Sequence, residues 1–222
     1  DEAYSIDDFK TAFPKLTEKL TALYHVADRH PWGDKLLAES AVKFYAVFDW
    51  QPMLSEMRLI KSSNEIRLMQ QAGQITAFGH IKAMQVTRPN RFEYEIESEI
   101  LHEFNRHGAR FPSYNSIVAG GDNACILHYT ENDQPLKDGD LVLIDAGCEF
   151  AMYAGDITRT FPVNGKFTQP QREIYELFLK AQKRAIELLV PGNSIKLAND
   201  EVIRIKTQGL VDLGILKGDV DK

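Results

Sequence analysis

The stretch Leu141-Val-Leu-Ile-Asp145-Ala-Gly-Cys148-Glu-Phe-Ala-Met-Tyr153-Ala-Gly-Asp156-Ile-Thr158-Arg-Thr160 decides how the chain is read. Leu141–Phe150 and Tyr153–Val163 have the composition of neighbouring strands. If the chain folds back around residues 150 and 151, Asp145 and Asp156 oppose one another on one face. Side chains so placed have Cβ atoms roughly 4.5–5.5 Å apart, and like charges there destabilise a hairpin. The apolar run ahead of Asp145 predicts burial, where a bare carboxylate is costlier still. Two resolutions exist, a shared proton or a bound cation. The cation is favoured, although spacing alone does not separate it from two unrelated strand-end aspartates held by backbone groups or Arg159.

Working outward, Gly147 beside Asp145 allows a close backbone approach. Carboxylates suit the hard cations Mn, Mg and Ca, with Zn or Co admitted once imidazole joins. Two such ions about 3.5–4 Å apart would clamp a substrate and generate a nucleophile. His128, in Cys125-Ile-Leu-His-Tyr129, reads as part of the strand before the aspartates and could donate a proton or hydrogen bond to a substrate. A strand histidine satisfied by its neighbours is the commoner case. Tyr114, after Pro112-Ser113, could line a pocket, though packing is its ordinary role. Thr158 shares the face of Asp156 and could support that carboxylate with its hydroxyl.

Other chemistries fit poorly. There is no G-x-S-x-G elbow, Walker loop or H-E-x-x-H helix. Asp145-Ala-Gly147 faintly matches the Asp-Thr/Ser-Gly of aspartic proteases, whose second aspartate lies in another lobe or subunit rather than eleven residues away. The helix face bearing Glu95, Glu99, His102 and Glu103 is better read as a solvated charged surface than as a metal site.

The 222 residues are 44% apolar and 26% charged, enough to bury a core. A net charge of −6 without a Lys/Arg stripe argues against nucleic acid. No apolar run spans a bilayer. Cys125 and Cys148 both fall in strand-like apolar text, pointing to buried thiols in a reducing, cytoplasmic setting. The opening Asp1-Glu-Ala-Tyr-Ser5 has no initiator Met and no signal-peptide pattern, which suggests an upstream part or processing.

Residues 1–50 read as a helix-rich remnant of a preceding domain. One helix is expected over Asp7–Tyr24, interrupted near Pro14, and another over Lys35–Tyr45. Residues 51–61 read as a linker. From residue 62 the pattern strengthens. Ser62 with Glu65, and Thr168 with Gln171, form capping boxes. Leu68, Ala72, Ile75 and Gly79 mark one helix face, and Ile96, Ile100 and Phe104 another. Strand text covers Asn115–Tyr129, broken at Gly120–Asn123, and Asn164-Gly165 reads as a hairpin dipeptide. Ile174, Phe178, Ala181, Ala185 and Leu188 mark a later helix, and Ser194 caps a last one. The sum is an α+β chain with helices packed on a mainly antiparallel sheet.

Four strings then carry a resemblance: Asn105-Arg-His-Gly-Ala-Arg-Phe-Pro-Ser-Tyr-Asn115, Cys125-Ile-Leu-His-Tyr-Thr-Glu-Asn132, Leu143-Ile-Asp-Ala-Gly-Cys148 and Tyr153-Ala-Gly-Asp-Ile-Thr-Arg-Thr-Phe-Pro162. They resemble bacterial aminopeptidase P, the Xaa-Pro aminopeptidase of the pita-bread metallopeptidases, relatives of prolidase, creatinase and methionine aminopeptidase. The likeness implies that residues 62–222 are the first part of the pita-bread catalytic domain, and residues 1–50 a remnant of the creatinase-like N-terminal domain. It further implies two divalent ions, manganese first, with Zn, Co or Mg as alternatives. Asp145 would be a bidentate ligand of one ion, and Asp156 would bridge both. A metal-bridging hydroxide would attack, His128 would bind substrate near the scissile bond, and Tyr114 and Thr158 would line and support the pocket. The implied substrates are peptides with proline second, and the implied assembly is a homo-oligomer. The family's remaining ligands, a histidine and two glutamates farther along, are not in the chain. Weak metal binding and no turnover are therefore expected of residues 1–222 alone. A prolidase-like dipeptidase or a non-catalytic pita-bread binding module are the alternatives.

Overall fold

The structure is a computed structural model that describes residues 5, 7–39, 44 and 46–218. It divides into two compact units, residues 1–66 and 67–222. In the first, helix α1 (Phe9–Thr17) runs through Pro14 and stops well short of Tyr24. Its end coincides with Thr17, whose hydroxyl donates to the Phe13 carbonyl at 2.7 Å, a local bond that competes with helix continuation. Strand β1 (Ala22–Tyr24) then pairs in parallel with β2 (Ala46–Phe48), and α2 (Pro31–Glu39) lies between them in sequence. Residues 40–43 and 45 of the helix expected over Lys35–Tyr45 lie outside the described residues. The stretch expected to be a linker is largely helix α3 (Gln51–Leu59). Pro52 sits in its first turn, where a missing N–H breaks no bond, and no α3 residue is buried, so no apolar stripe announces it.

The second unit is built on α4 (Ser63–Val86), which enters it from residue 67 onward, and α5 (Glu93–Arg106). The Ser62 capping box is formed in both directions, Glu65 N–H to Ser62 Oγ at 3.3 Å and Ser62 N–H to Glu65 Oε2 at 2.7 Å. Ala72, Ile75 and Ala83 of α4 and Ile96, Ile100 and Phe104 of α5 share a core with the sheet residues Val118, Val142, Ile144 and Ala146. The sheet comes as two three-stranded antiparallel pieces. One is β4 (Ile117–Gly120), β5 (Leu141–Ala146) and β8 (Ile157–Pro162). The other is β3 (Phe111–Pro112), β6 (Cys148–Phe150) and β7 (Tyr153–Ala154). Helices α6 (Gln169–Leu188) and α7 (Ile195–Asp212) follow, capped by Thr168 and Ser194 as expected.

Three strand expectations are corrected. The break expected at Gly120–Asn123 is present, as a 3-10 turn over Gly121–Cys125, but no strand resumes after it, which leaves Cys125 exposed while Cys148 is buried; both thiols are free. Asn164-Gly165 closes no hairpin, because Asn164 Oδ1 accepts the Lys166 N–H at 3.0 Å and turns the chain toward α6. The hairpin carrying the aspartates turns at Ala151-Met152, both at positive φ (50° and 71°), rather than at 150–151. The register therefore places Thr158, not Asp156, opposite Asp145. A two-residue slip preserves faces, so the two aspartates remain on one face as diagonal neighbours.

Between β5 and β6 the hairpin changes partners, from β4 to β3, and two glycines make this possible. A Cβ on Gly147 would stand 1.8 Å from the Gly155 carbonyl oxygen, and one on Gly155 would meet Thr76 Oγ1 at 2.1 Å and the Ala72 carbonyl at 2.8 Å. Backbone cannot retreat from such contacts without moving α4 off the sheet. Gly155→Ala is expected to lower unfolding free energy by about 3 kcal/mol or more, read by urea denaturation, as overpacking against backbone does.

Candidate metal centre

Asp145, near the end of β5, and Asp156, just ahead of β8, meet at a third side chain. The Tyr114 hydroxyl oxygen lies 2.6 Å from Asp145 Oδ1 and 2.9 Å from Asp156 Oδ1. A phenol carries one proton and can donate to only one carboxylate at a time. Burial, helped by the bonds to Asp145 and Asp156, pushes the Tyr114 phenol far above its ordinary value, so it stays a donor at any working pH. The cluster therefore concentrates two acceptors around a single donor. Two unit charges roughly 5 Å apart repel by about 3 kcal/mol at an effective dielectric of about 20.

The alternative partner, Arg159, does not relieve this. Its guanidinium donates to the Thr158 carbonyl at 2.7 Å rather than to either aspartate. Asp145 is half-buried and Asp156 exposed, which corrects the expectation of a buried pair. The β5 alternation explains it, since Val142, Ile144 and Ala146 face the helices while Leu143 and Asp145 face the other way. Thr158 stands opposite Asp145 on the same face. Two hard carboxylates with an open side suit a divalent cation and supply part of a coordination sphere. Among the described residues no group of three or more His, Cys, Asp or Glu completes one.

Behind the pair, α4 grips the strands from the core. Thr76 Oγ1 accepts the Cys148 N–H at 3.1 Å, and His80 Nε2 lies 3.1 Å from the Ala146 carbonyl. Ser113 Oγ donates to the Gly155 carbonyl at 2.9 Å. Thr76 and His80 lie four residues apart on the apolar stripe of α4, and no local motif announces them. Their one sequence signal is polarity at positions that belong to an otherwise apolar stripe.

His128 is exposed on the turn Ile126–Tyr129, not in a strand, and its φ is +57°. It makes no hydrogen bond to either aspartate. The adjacent Tyr129 packs on Ile117, Ala119 and Leu143. Ile117 pairs with Asp145 and Ala119 with Leu143, so the turn folds over the sheet face that carries Asp145. Glu95, Glu99 and Glu103 are taken up by Arg91, Lys82, Arg106 and His107, in keeping with a solvated charged surface.

Residues 67–215 match the pattern of metallopeptidase family M24. The chain belongs to that family. Over 220 residues it is 85% identical to the Xaa-Pro aminopeptidase of Haemophilus influenzae, covering 99% of this chain and 51% of that protein. Among solved structures it superposes on proline aminopeptidase P II from Yersinia pestis with a TM-score of 0.96 at 49% identity, covering 100% of this chain and 53% of that one. It also superposes on zinc-substituted E. coli aminopeptidase P in complex with product, with a TM-score of 0.95 at 50% identity and the same coverages. The chain thus spans about half the length of the M24 relatives it matches, and its fold is that part of a pita-bread fold.

Burial holds the His80 imidazole below its ordinary value of 6.5. The unfolded chain takes up that proton first, so stability must fall as pH drops below about 6.5. Denaturant midpoints measured across that range should show the slope, and His80→Gln should flatten it.

Proposed function

We propose that this chain is the metal-anchoring part of an Xaa-Pro aminopeptidase, which removes the N-terminal residue of peptides whose second residue is proline. One observation supports this above the rest: in an M24 chain, Asp145 and Asp156 share a single phenolic donor on an open sheet face. The H. influenzae relative, named for this activity, supplies the substrate class. Bound divalent metal would activate water and polarise the scissile carbonyl.

The chain's own residues do the rest. Asp145 and Asp156 would supply two of the carboxylate ligands to the cation pair, with manganese the first choice. Tyr114 fixes the spacing of the two carboxylates, and the Thr158 hydroxyl supports their face. His128 donates a hydrogen bond to the substrate near the scissile bond, which helps stabilise the tetrahedral intermediate. Residues 62–222 act as part of the catalytic domain, in a homo-oligomer working in the cytoplasm. The free thiols agree with that compartment. Among the described residues no helix is long and apolar enough to cross a membrane.

In the full-length protein, Asp156→Asn is expected to strip bound metal and to lower kcat/KM on an Xaa-Pro-Yaa peptide by roughly a thousandfold. Metal analysis and peptide hydrolysis read both. Unchanged metal content and rate would overturn the assignment. Preference for Xaa-Pro dipeptides would redirect it to a prolidase-like dipeptidase, and metal-free protein without turnover would redirect it to a binding module. Residues 1–222 alone should show no turnover, because two carboxylates cannot build a dinuclear site.

A further inference from the structure

The described residues include a second polar cluster, and none of the residues placed in the metal centre belongs to it. Glu93, in the first turn of α5, is fully buried at 0% exposure. Its Oε1 accepts from the Gly120 N–H at 2.8 Å and from Asn123 Nδ2 at 3.1 Å. Its Oε2 accepts from the Tyr129 hydroxyl at 2.7 Å and from the Gln134 N–H at 3.0 Å. All four neighbours act as donors, and two are backbone amides that can play no other part. A glutamine in this place would turn its NH2 against one of those amides whichever way it flipped. Burying a carboxylate on this scale persists only where the surroundings satisfy it fully.

These four donors come from the two ends of one loop. Gly120 and Asn123 lie where the chain leaves β4, and Tyr129 and Gln134 where it returns. Between them, Tyr129 N–H closes a turn on the Ile126 carbonyl at 3.3 Å, and His128 occupies the third position of that turn at φ +57°. A left-handed conformation in a residue other than glycine is strained and persists only when neighbours over-determine it. The far end of the loop is fixed independently. Asn132 accepts from the Val118 N–H at 2.9 Å and donates to the Ser116 carbonyl at 2.9 Å and to Glu97 Oε2 at 3.0 Å. Burial and the bond to Glu93 hold the Tyr129 phenol up at about 12, so the link from Glu93 to the turn survives across the neutral range.

We propose that Glu93 is the positioning residue for His128, fixing through Tyr129 the turn on which that imidazole is presented to substrate. Glu93 touches no substrate and acts only by holding the turn. The inference rests on the role given to His128 above, and its test separates the two.

The test is a double-mutant cycle in the full-length protein, on an Xaa-Pro-Yaa peptide, with Glu93→Gln, Tyr129→Phe and His128→Ala singly and in pairs. Glu93→Gln should lower kcat about tenfold or more, and Tyr129→Phe severalfold, with bound metal retained in each. In the His128→Ala background neither substitution should lower kcat further. Equal losses with and without His128 would show a merely structural role and overturn the proposal. If His128→Ala alone leaves the rate unchanged, the role of His128 fails first and leaves Glu93 nothing to position. Tyr129→Phe removes one hydroxyl and leaves the backbone amides on Glu93 in place, so it carries the test if Glu93→Gln does not fold.

Discussion

Helix α4 comes so close to the strands bearing Asp145 and Asp156 that no side chain fits between them. The approach is closest at Gly155, beneath Thr76 and the Ala72 carbonyl, and Gly147 lies under the Gly155 carbonyl. Thr76 and His80 turn this proximity into hydrogen bonds on residues 146 and 148, immediately beside Asp145. The hairpin can then exchange one sheet partner for another without losing its register. Two acidic side chains are thus held on a rigid backbone rather than on flexible loops, the placement that keeps like charges together when nothing else compensates them.

Much of this was legible in sequence where a local rule decided it. The capping boxes at Ser62 and Thr168, the apolar stripes of α4 and α5, and the alternation of β5 each follow from short-range chemistry, and each is present. The shared face of Asp145 and Asp156 survived a wrong turn position because side-chain direction repeats every two residues. The position itself was hidden, since Ala151 and Met152 adopt positive φ without the Asn-Gly chemistry that usually announces such a turn. Instead the long-range register fixes it, aided by Glu149 Oε1 accepting the Met152 N–H.

The site's supporting residues were harder to see for the same reason. Tyr114 joins Asp145 from 31 positions away, and Glu93 reaches Tyr129 across 36. No periodicity reports such contacts. His128 read as strand because Cys125-Ile-Leu-His-Tyr129 is apolar, yet most of that apolar surface is exposed and only Tyr129 is buried. In the first unit, β1 and β2 are three residues each and pair in parallel, too short for alternation to show.

Anomalous diffraction from crystals of the full-length protein grown with manganese, recorded across the manganese edge, would locate the cations. Anomalous density is expected in contact with carboxylate oxygens of both Asp145 and Asp156. Density elsewhere, with both carboxylates still resting on Tyr114, would contradict that expectation.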